Sequence, residues 1–297
     1  MPEQQRLPDV VIIGAAKSGT SSLARRLDKH PQVCLSKDKE PEFFSHDEKY
    51  SRGLGWYADQ FAAAQPGQLC LDASTSYSRS PQYPKAAERL HRHCPGAKLI
   101  YLMRHPIDRA FSHFIHRHNR ELKPGQPFDV DFETHVASDP VCLDSSDYKF
   151  QIEQYMRFYP RDSFIFLFSD EFMADELGTF KRVCDFTGIE FDSRHFPPVA
   201  SRVNTASDYR EGAVRASVTA SIRAIPVIGK AAYLAPRPLR SACYRALRWF
   251  GGGKSAESRF TPPSIRPETR ARLLERYRPA LEWVAELTGR DLSSWML

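Results

Sequence analysis

The sequence predicts an α/β fold: a parallel sheet flanked by helices on both faces, with a mobile basic helical segment before the C-terminal helix. Three observations carry this. Short continuous apolar runs recur along the chain, as strands buried on both faces require. Stretches with helical periodicity follow the main runs, the alternation that builds a parallel sheet. One late stretch breaks the pattern with basic residues, prolines and a glycine cluster.

Val10–Ile13 is the first run, β-branched and ended by Gly14. From Ser18 the pattern turns helical, with Leu23 and Leu27 on one face, charged residues around them and Pro31 as the stop. Val33–Leu35 is strand-like, and Cys70–Leu71 is a second short strand. Leu99–Met103 (LIYLM) follows, and after Pro106 comes a helical stretch carrying Ala110, Phe111, Phe114 and Ile115. Phe164–Phe168 (FIFLF) is the last run, with one helix expected behind it over Glu171–Phe186. Between Arg210 and Arg259 stand ten Lys/Arg against two acids, Glu211 and Glu257, more than the whole net charge of +6. Pro226, Pro236, Pro238 and Gly251–Gly253 cut this stretch into short helices joined by mobile turns. From Pro267 an amphipathic helix returns through Leu273, Tyr277, Leu281 and Val284, ending in a Gly289–Leu292 turn and Trp295.

The chain has 297 residues, 41% hydrophobic and 26% charged, which excludes a disordered or fibrous protein and sustains one large domain. Residues 1–297 therefore read as a single domain, with 206–262 an excursion within it. The positive balance leans toward anionic partners. Six scattered cysteines without a CxxC pair read as reduced, mostly buried thiols and give no metal-ligand spacing. No run of 18 apolar residues occurs and Met1–Asp9 is short and polar, so the expected location is cytoplasmic. Nothing resembles a recognition helix or an aromatic stacking platform, and nucleic acid is not an expected partner.

The most informative residues are Gly14-Ala15-Ala16-Lys17-Ser18-Gly19-Thr20-Ser21. A strand, a small-residue loop and a helix start form an anion cradle, because backbone N–H groups and the helix dipole both point at the ligand. Set against the phosphate-loop pattern G-x4-G-K-[ST], the glycines fall at Gly14 and Gly19 and the serine at Ser21. Thr20 occupies the lysine position, and the loop's lysine lies three residues earlier, at Lys17. Phosphoryl transfer needs that lysine at the β/γ-phosphates, with Mg²⁺ held by an acid; Asp170 is the nearest candidate acid. Lys17 is placed instead to reach a bridging oxygen and stabilise charge there without a metal.

Arg104, at the carboxyl end of LIYLM, faces the crevice where α/β sheets bind ligands. Pro106 is suited to open the next helix, and Ser112 on its second turn can converge with Arg104 on one phosphate. Asp108 and Arg109 read as structural partners at the helix start.

The strand–GxxKxGT–helix unit and the RxPxxRxxS unit of Arg104–Ser112 resemble the 5'-phosphosulfate loop and the 3'-phosphate motif of the PAPS-dependent sulfotransferases. Here PAPS is 3'-phosphoadenosine-5'-phosphosulfate. Lys39-Glu40-Pro41-Glu42-Phe43-Phe44 and Gly53-Leu54-Gly55-Trp56-Tyr57 are similar to segments of the heparan sulfate N- and O-sulfotransferase-like branch, and the chain looks bacterial in type. The likeness covers about Val10 to Phe186, and the tail GRDLSSW more loosely.

The resemblance implies in-line sulfuryl transfer from PAPS, without a metal, to a hydroxyl or, second, an amine of a glycan, lipid or small molecule. It implies Glu40 as general base and Lys17 on the bridging oxygen. Lys17, Ser18, Gly19, Thr20 and Ser21 would hold the 5'-phosphosulfate, and Arg104 with Ser112 the 3'-phosphate. A salt bridge from Glu40 to Lys37 or Lys39 is the structural alternative. The branch carries a lysine in E-K-[ST]-P-x-Y; here the stretch is Asp72-Ala73-Ser74-Thr75-Ser76-Tyr77, which argues against a heparan-like acceptor and leaves Asp72 open as a second carboxylate. For the basic stretch 210–259, a lid, a face for an anionic acceptor and a peripheral membrane patch all stand open. Gly251–Arg259 is the nearest match to the branch's late basic loop. The histidines His105, His113, His116 and His118 do not share one helical face and read as surface or cap residues. The rival functions are a P-loop small-molecule kinase and a non-catalytic, membrane-associated nucleotide-binding protein.

Overall fold

Val10–Gly14 forms the central strand β1, all five residues of it buried. In the computed structural model the residues described are 6–121, 130–197 and 263–297, with the side chains of 119–121 left out. The account below concerns the compact unit formed by 6–114, 131–197 and 264–297. The excursion 206–262, its basic stretch 210–259, Gly251–Arg259 and Cys243 lie outside the described residues.

The other strands are β2 (Val33–Leu35), β3 (Leu69–Asp72), β4 (Lys98–Met103) and β5 (Phe164–Phe168). They form one sheet of order β2-β3-β1-β4-β5. Every pairing is parallel, with Val10 opposite both Leu71 and Lys98, and Leu99 opposite Phe164. The chain leaves β1 toward β2 and later crosses back to β4, so the strand order reverses at β1. That reversal opens a crevice at the carboxyl ends of β1 and β4.

Helices cover both faces, as right-handed crossovers on a parallel sheet require. Leu23, Ala24 and Leu27 of helix Thr20–Leu27 pack with Val10, Ile12, Ile100 and Leu102, together with Phe180, Val183 and Cys184. Each fully buried aliphatic side chain of this kind contributes about 1.5–3 kcal/mol. On the opposite face Tyr101 meets Tyr148 of helix Tyr148–Met156, their ring centroids 5.9 Å apart.

The expected helix over Glu171–Phe186 is two helices, Ser169–Ala174 and Glu176–Thr187. Asp175 breaks it, because its carboxylate accepts the Gly178 N–H (2.9 Å) and caps the second helix. The C-terminal helix runs Pro267–Thr288 and ends at Gly289, whose φ of 70° closes it in the left-handed conformation. Beyond it, Arg290 makes two bonds to the Asp170 carboxylate (3.1 and 2.8 Å), and Trp295 Nε1 approaches the same group at 3.4 Å. The five described cysteines are unpaired and buried. Among the described residues no helix is long and apolar enough to cross a membrane.

Candidate active site

The loop after β1 is shaped by backbone geometry before any side chain acts. Ala15 N–H donates to Leu102 O of β4 (2.9 Å), which sets the loop against the reversal point. Lys17 has φ 74°, a left-handed conformation costly for a residue with a Cβ, and Gly19 follows at φ 104°. Helix Thr20–Leu27 starts at Gly19 with no side-chain cap and no acid in its first turn, so its first N–H groups stay available for an anion. Ser18 is buried and its hydroxyl has no hydrogen-bond partner, a polar atom poised for a ligand. Gly14 is required by packing, since a Cβ there would collide with the Ser78 hydroxyl.

Arg109 explains how the loop is held. Its side chain is 0% exposed. It donates through Nε to Ser146 Oγ (2.6 Å), through Nη1 to Ala16 O (3.2 Å) and through Nη2 to Cys142 O. Asp108 does not pair with it and lies instead 3.7 Å from Arg270. The helix Pro106–Glu121 therefore reaches back to the phosphate loop through Arg109. Arg109→Ala is expected to cost about 3 kcal/mol, from the lost volume and two stranded carbonyls, and to weaken anion binding at the loop. Denaturant unfolding with a parallel binding titration checks this.

Arg104 continues β4, its backbone N–H and carbonyl both bonded to the Tyr148 hydroxyl. Burial first and the Arg104 guanidinium second hold the Lys17 ammonium down to about 8, with Lys39 and Arg109 adding to the effect and Glu40 opposing it. Lys17, Arg104, Arg109, Lys39 and Glu40 therefore share one electrostatic neighbourhood. Ser112 lies on the Pro106–Glu121 helix, partly buried.

Glu40 lies on the loop after β2. Lys39 Nζ binds Glu40 Oε1 and also donates to Ser21 Oγ of the phosphate loop (2.7 Å). Thr75 Oγ1 donates to Glu40 Oε2 at 3.3 Å, a long bond that leaves this oxygen lightly held. The salt bridge named as the alternative reading thus exists, and it ties Glu40 to the anion cradle rather than to solvent. Glu42 is partly buried and accepts from Lys49 Nζ at 2.8 Å.

The aromatic motifs anchor this loop. Phe43 stacks on Tyr57 with centroids 4.5 Å apart, and Phe44 meets Tyr57 edge-on at 5.0 Å. Tyr57 OH donates to Asp72 Oδ2 (2.6 Å), as does Tyr77 OH (2.8 Å), while Ser74 N–H and Oγ hold Oδ1 at 2.9 and 2.6 Å. Asp72 is 0% exposed, and burial raises its carboxyl above the usual range despite these donors. It is an anchor for the turn Thr75–Ser78 and has no oxygen left for a substrate. Ala73 is buried too, so nothing there replaces the lysine of the resembling branch.

The sequence motifs thus come together: Lys17 to Ser21, Arg104 and Glu40 converge where β1 and β4 end. The hold of Arg109 on the phosphate loop, the tie of Lys39 to Ser21 and the anchoring role of Asp72 were not assigned from sequence. The helical pattern gave no signal for Arg109, which shares its face with His105, Ser112 and His113 rather than with the apolar Ile107 and Phe111. Asp170 is committed to Arg290 and Trp295, which removes it as a metal-holding acid of a kinase site. His113 is buried rather than on the surface, and His105 Nε2 lies 3.1 Å from Trp295 O.

Known proteins are similar to this chain in sequence and fold. Heparan sulfate glucosamine 3-O-sulfotransferase 6 of Homo sapiens is 30% identical over 202 residues, covering 66% of this chain and 57% of that protein. Heparan sulfate glucosamine 3-O-sulfotransferase 5 of Mus musculus is 27% identical over 207 residues, covering 67% and 57%. The chain therefore spans under two thirds of the length of these relatives. The crystal structure of a sulfotransferase from Alicyclobacillus acidocaldarius superposes with a TM-score of 0.66 at 22% identity, covering 98% of this chain and 100% of that one, a likeness of fold. The sulfotransferase domain family matches residues 7–212, more than half of the chain, and the chain belongs to that family.

Proposed function

We propose that this protein transfers a sulfuryl group from PAPS to a hydroxyl of a glycan, lipid or small-molecule acceptor, with a carboxylate as general base. One observation carries the reading. Arg104 stands at the end of β4 beside Lys17, and among the described residues no carboxylate pairs with it. An arginine left without a counter-ion near a helix start suits a ligand of several negative charges, as 3',5'-bisphosphorylated nucleotides are.

The residues divide the work. Ser18 to Ser21 and the helix N-terminus receive the 5'-phosphosulfate, and Arg104 with Ser112 the 3'-phosphate. Glu40, oriented by Lys39, takes the acceptor proton through its lightly held Oε2 as the acceptor oxygen attacks sulfur in line. The bond from sulfur to the bridging oxygen breaks, and Lys17 stabilises the charge gathering on the leaving phosphate. Family membership and the named activity of the relatives support this reading. The loss of the branch lysine at Ala73 turns it away from a heparan-like acceptor.

The test is calorimetric titration of 3',5'-ADP, the desulfated product, beside ATP·Mg²⁺. Micromolar binding of 3',5'-ADP without metal is expected, with a loss of at least tenfold in Arg104→Ala. Preference for ATP·Mg²⁺, or unchanged binding in Arg104→Ala, would return the protein to the kinase or binding-module class.

A further inference from the structure

Arg79 follows the Thr75–Ser78 turn, which sends Thr75 to Glu40 and packs Ser78 against Gly14 of the phosphate loop. Its Nε is buried and has no hydrogen-bond partner. Glu40 and Glu42 are the acids whose charges weigh on it, yet each is committed elsewhere, Glu40 to Lys39 and Thr75, Glu42 to Lys49. Burial lowers its guanidinium below the ordinary range, the mark of a cation taken from water without a counter-ion. Like Arg104, Arg79 makes no ion pair among the described residues, whereas Arg26, Arg89 and Arg290 each hold a carboxylate and Arg109 spends its donors on Ser146 Oγ and two backbone carbonyls.

A desolvated cation without a partner is costly unless a ligand completes it. The donor's phosphates already have the loop, Lys17 and Arg104, while Arg79 lies on the Glu40 side of the site. The planar guanidinium fork matches a carboxylate in two-point contact. We propose that Arg79 anchors a carboxylate on the acceptor, so that the protein sulfates hydroxyl compounds that are themselves carboxylic acids. This rests on the sulfotransferase reading and names its acceptor class.

The experiment uses the whole chain saturated with 3',5'-ADP and titrates p-nitrophenyl β-glucuronide against the neutral p-nitrophenyl β-glucoside. The expected result is at least tenfold tighter binding of the glucuronide by wild type. That preference should be abolished in Arg79→Met and partly restored in Arg79→Lys, with circular dichroism and melting confirming that both variants fold. No preference in wild type, or a preference that survives Arg79→Met, overturns the proposal. Loss of 3',5'-ADP binding in Arg79→Met also overturns it, by moving Arg79 to the donor. Failure of wild type to bind 3',5'-ADP is a separate result, and it sinks the donor reading instead.

Discussion

Lys17→Met is expected to lower kcat by about 10²–10³, the loss typical of removing one donor aimed at developing charge. Binding of 3',5'-ADP should fall less, because the helix start, Ser18 and Arg104 remain. Lys17 also gives this variant a pH signature. Its ammonium titrates near 8 in the folded protein against an ordinary value of 10.5. An anionic nucleotide favours the charged ammonium, so binding near and above pH 8 takes up a proton. Wild-type affinity for 3',5'-ADP should then decline as the pH rises from 8 toward 10, and Lys17→Met should lose that component.

The stability effect has the opposite sense. The unfolded chain holds the Lys17 proton up to 10.5 and the folded chain only to about 8, so the unfolded state binds more protons between them. Lys17 therefore weakens the fold below pH 8, and the penalty fades as pH climbs through that window. Lys17→Met should be more stable than wild type at pH 7 while being far less active, the trade expected of a strained functional residue. Activity unaffected by Lys17→Met would remove Lys17 from the chemistry.

The parts of the fold that were legible are those with a local signature. LIYLM and FIFLF are buried on both faces and so read as unbroken apolar runs. β3 was visible only at Cys70–Leu71, because its last residue is the charged Asp72, which four hydrogen bonds make tolerable in the core. The break at Asp175 is a capping event inside a helical pattern, and periodicity alone runs through it. In the site, Lys17 and Arg104 were readable because loop spacing and strand ends place them. Arg109 was not, since its bond to Ala16 O spans 93 positions of sequence. Arg79 belongs to no repeat or motif, and its meaning comes from Glu40 and Glu42 being occupied by other partners.

Glu40→Gln separates chemistry from architecture most sharply. The amide keeps the shape of the side chain and can still accept from Lys39, but it cannot take a proton from an acceptor. The expected loss in kcat is about 10²–10⁴, the range for a general base, with 3',5'-ADP affinity changed only a few-fold. Lys39→Met is the comparison, because it breaks the same ion pair from the other side and also the tie to Ser21. Were Glu40 only half of a structural salt bridge, the two variants would lose activity to a similar degree. As the base, Glu40→Gln should lose at least tenfold more than Lys39→Met, since the latter leaves the carboxylate with Thr75 still beside it. Single-turnover transfer from radiolabelled donor to p-nitrophenyl β-glucuronide measures both, and equal losses would assign Glu40 to the scaffold and send the search for the base elsewhere in the site.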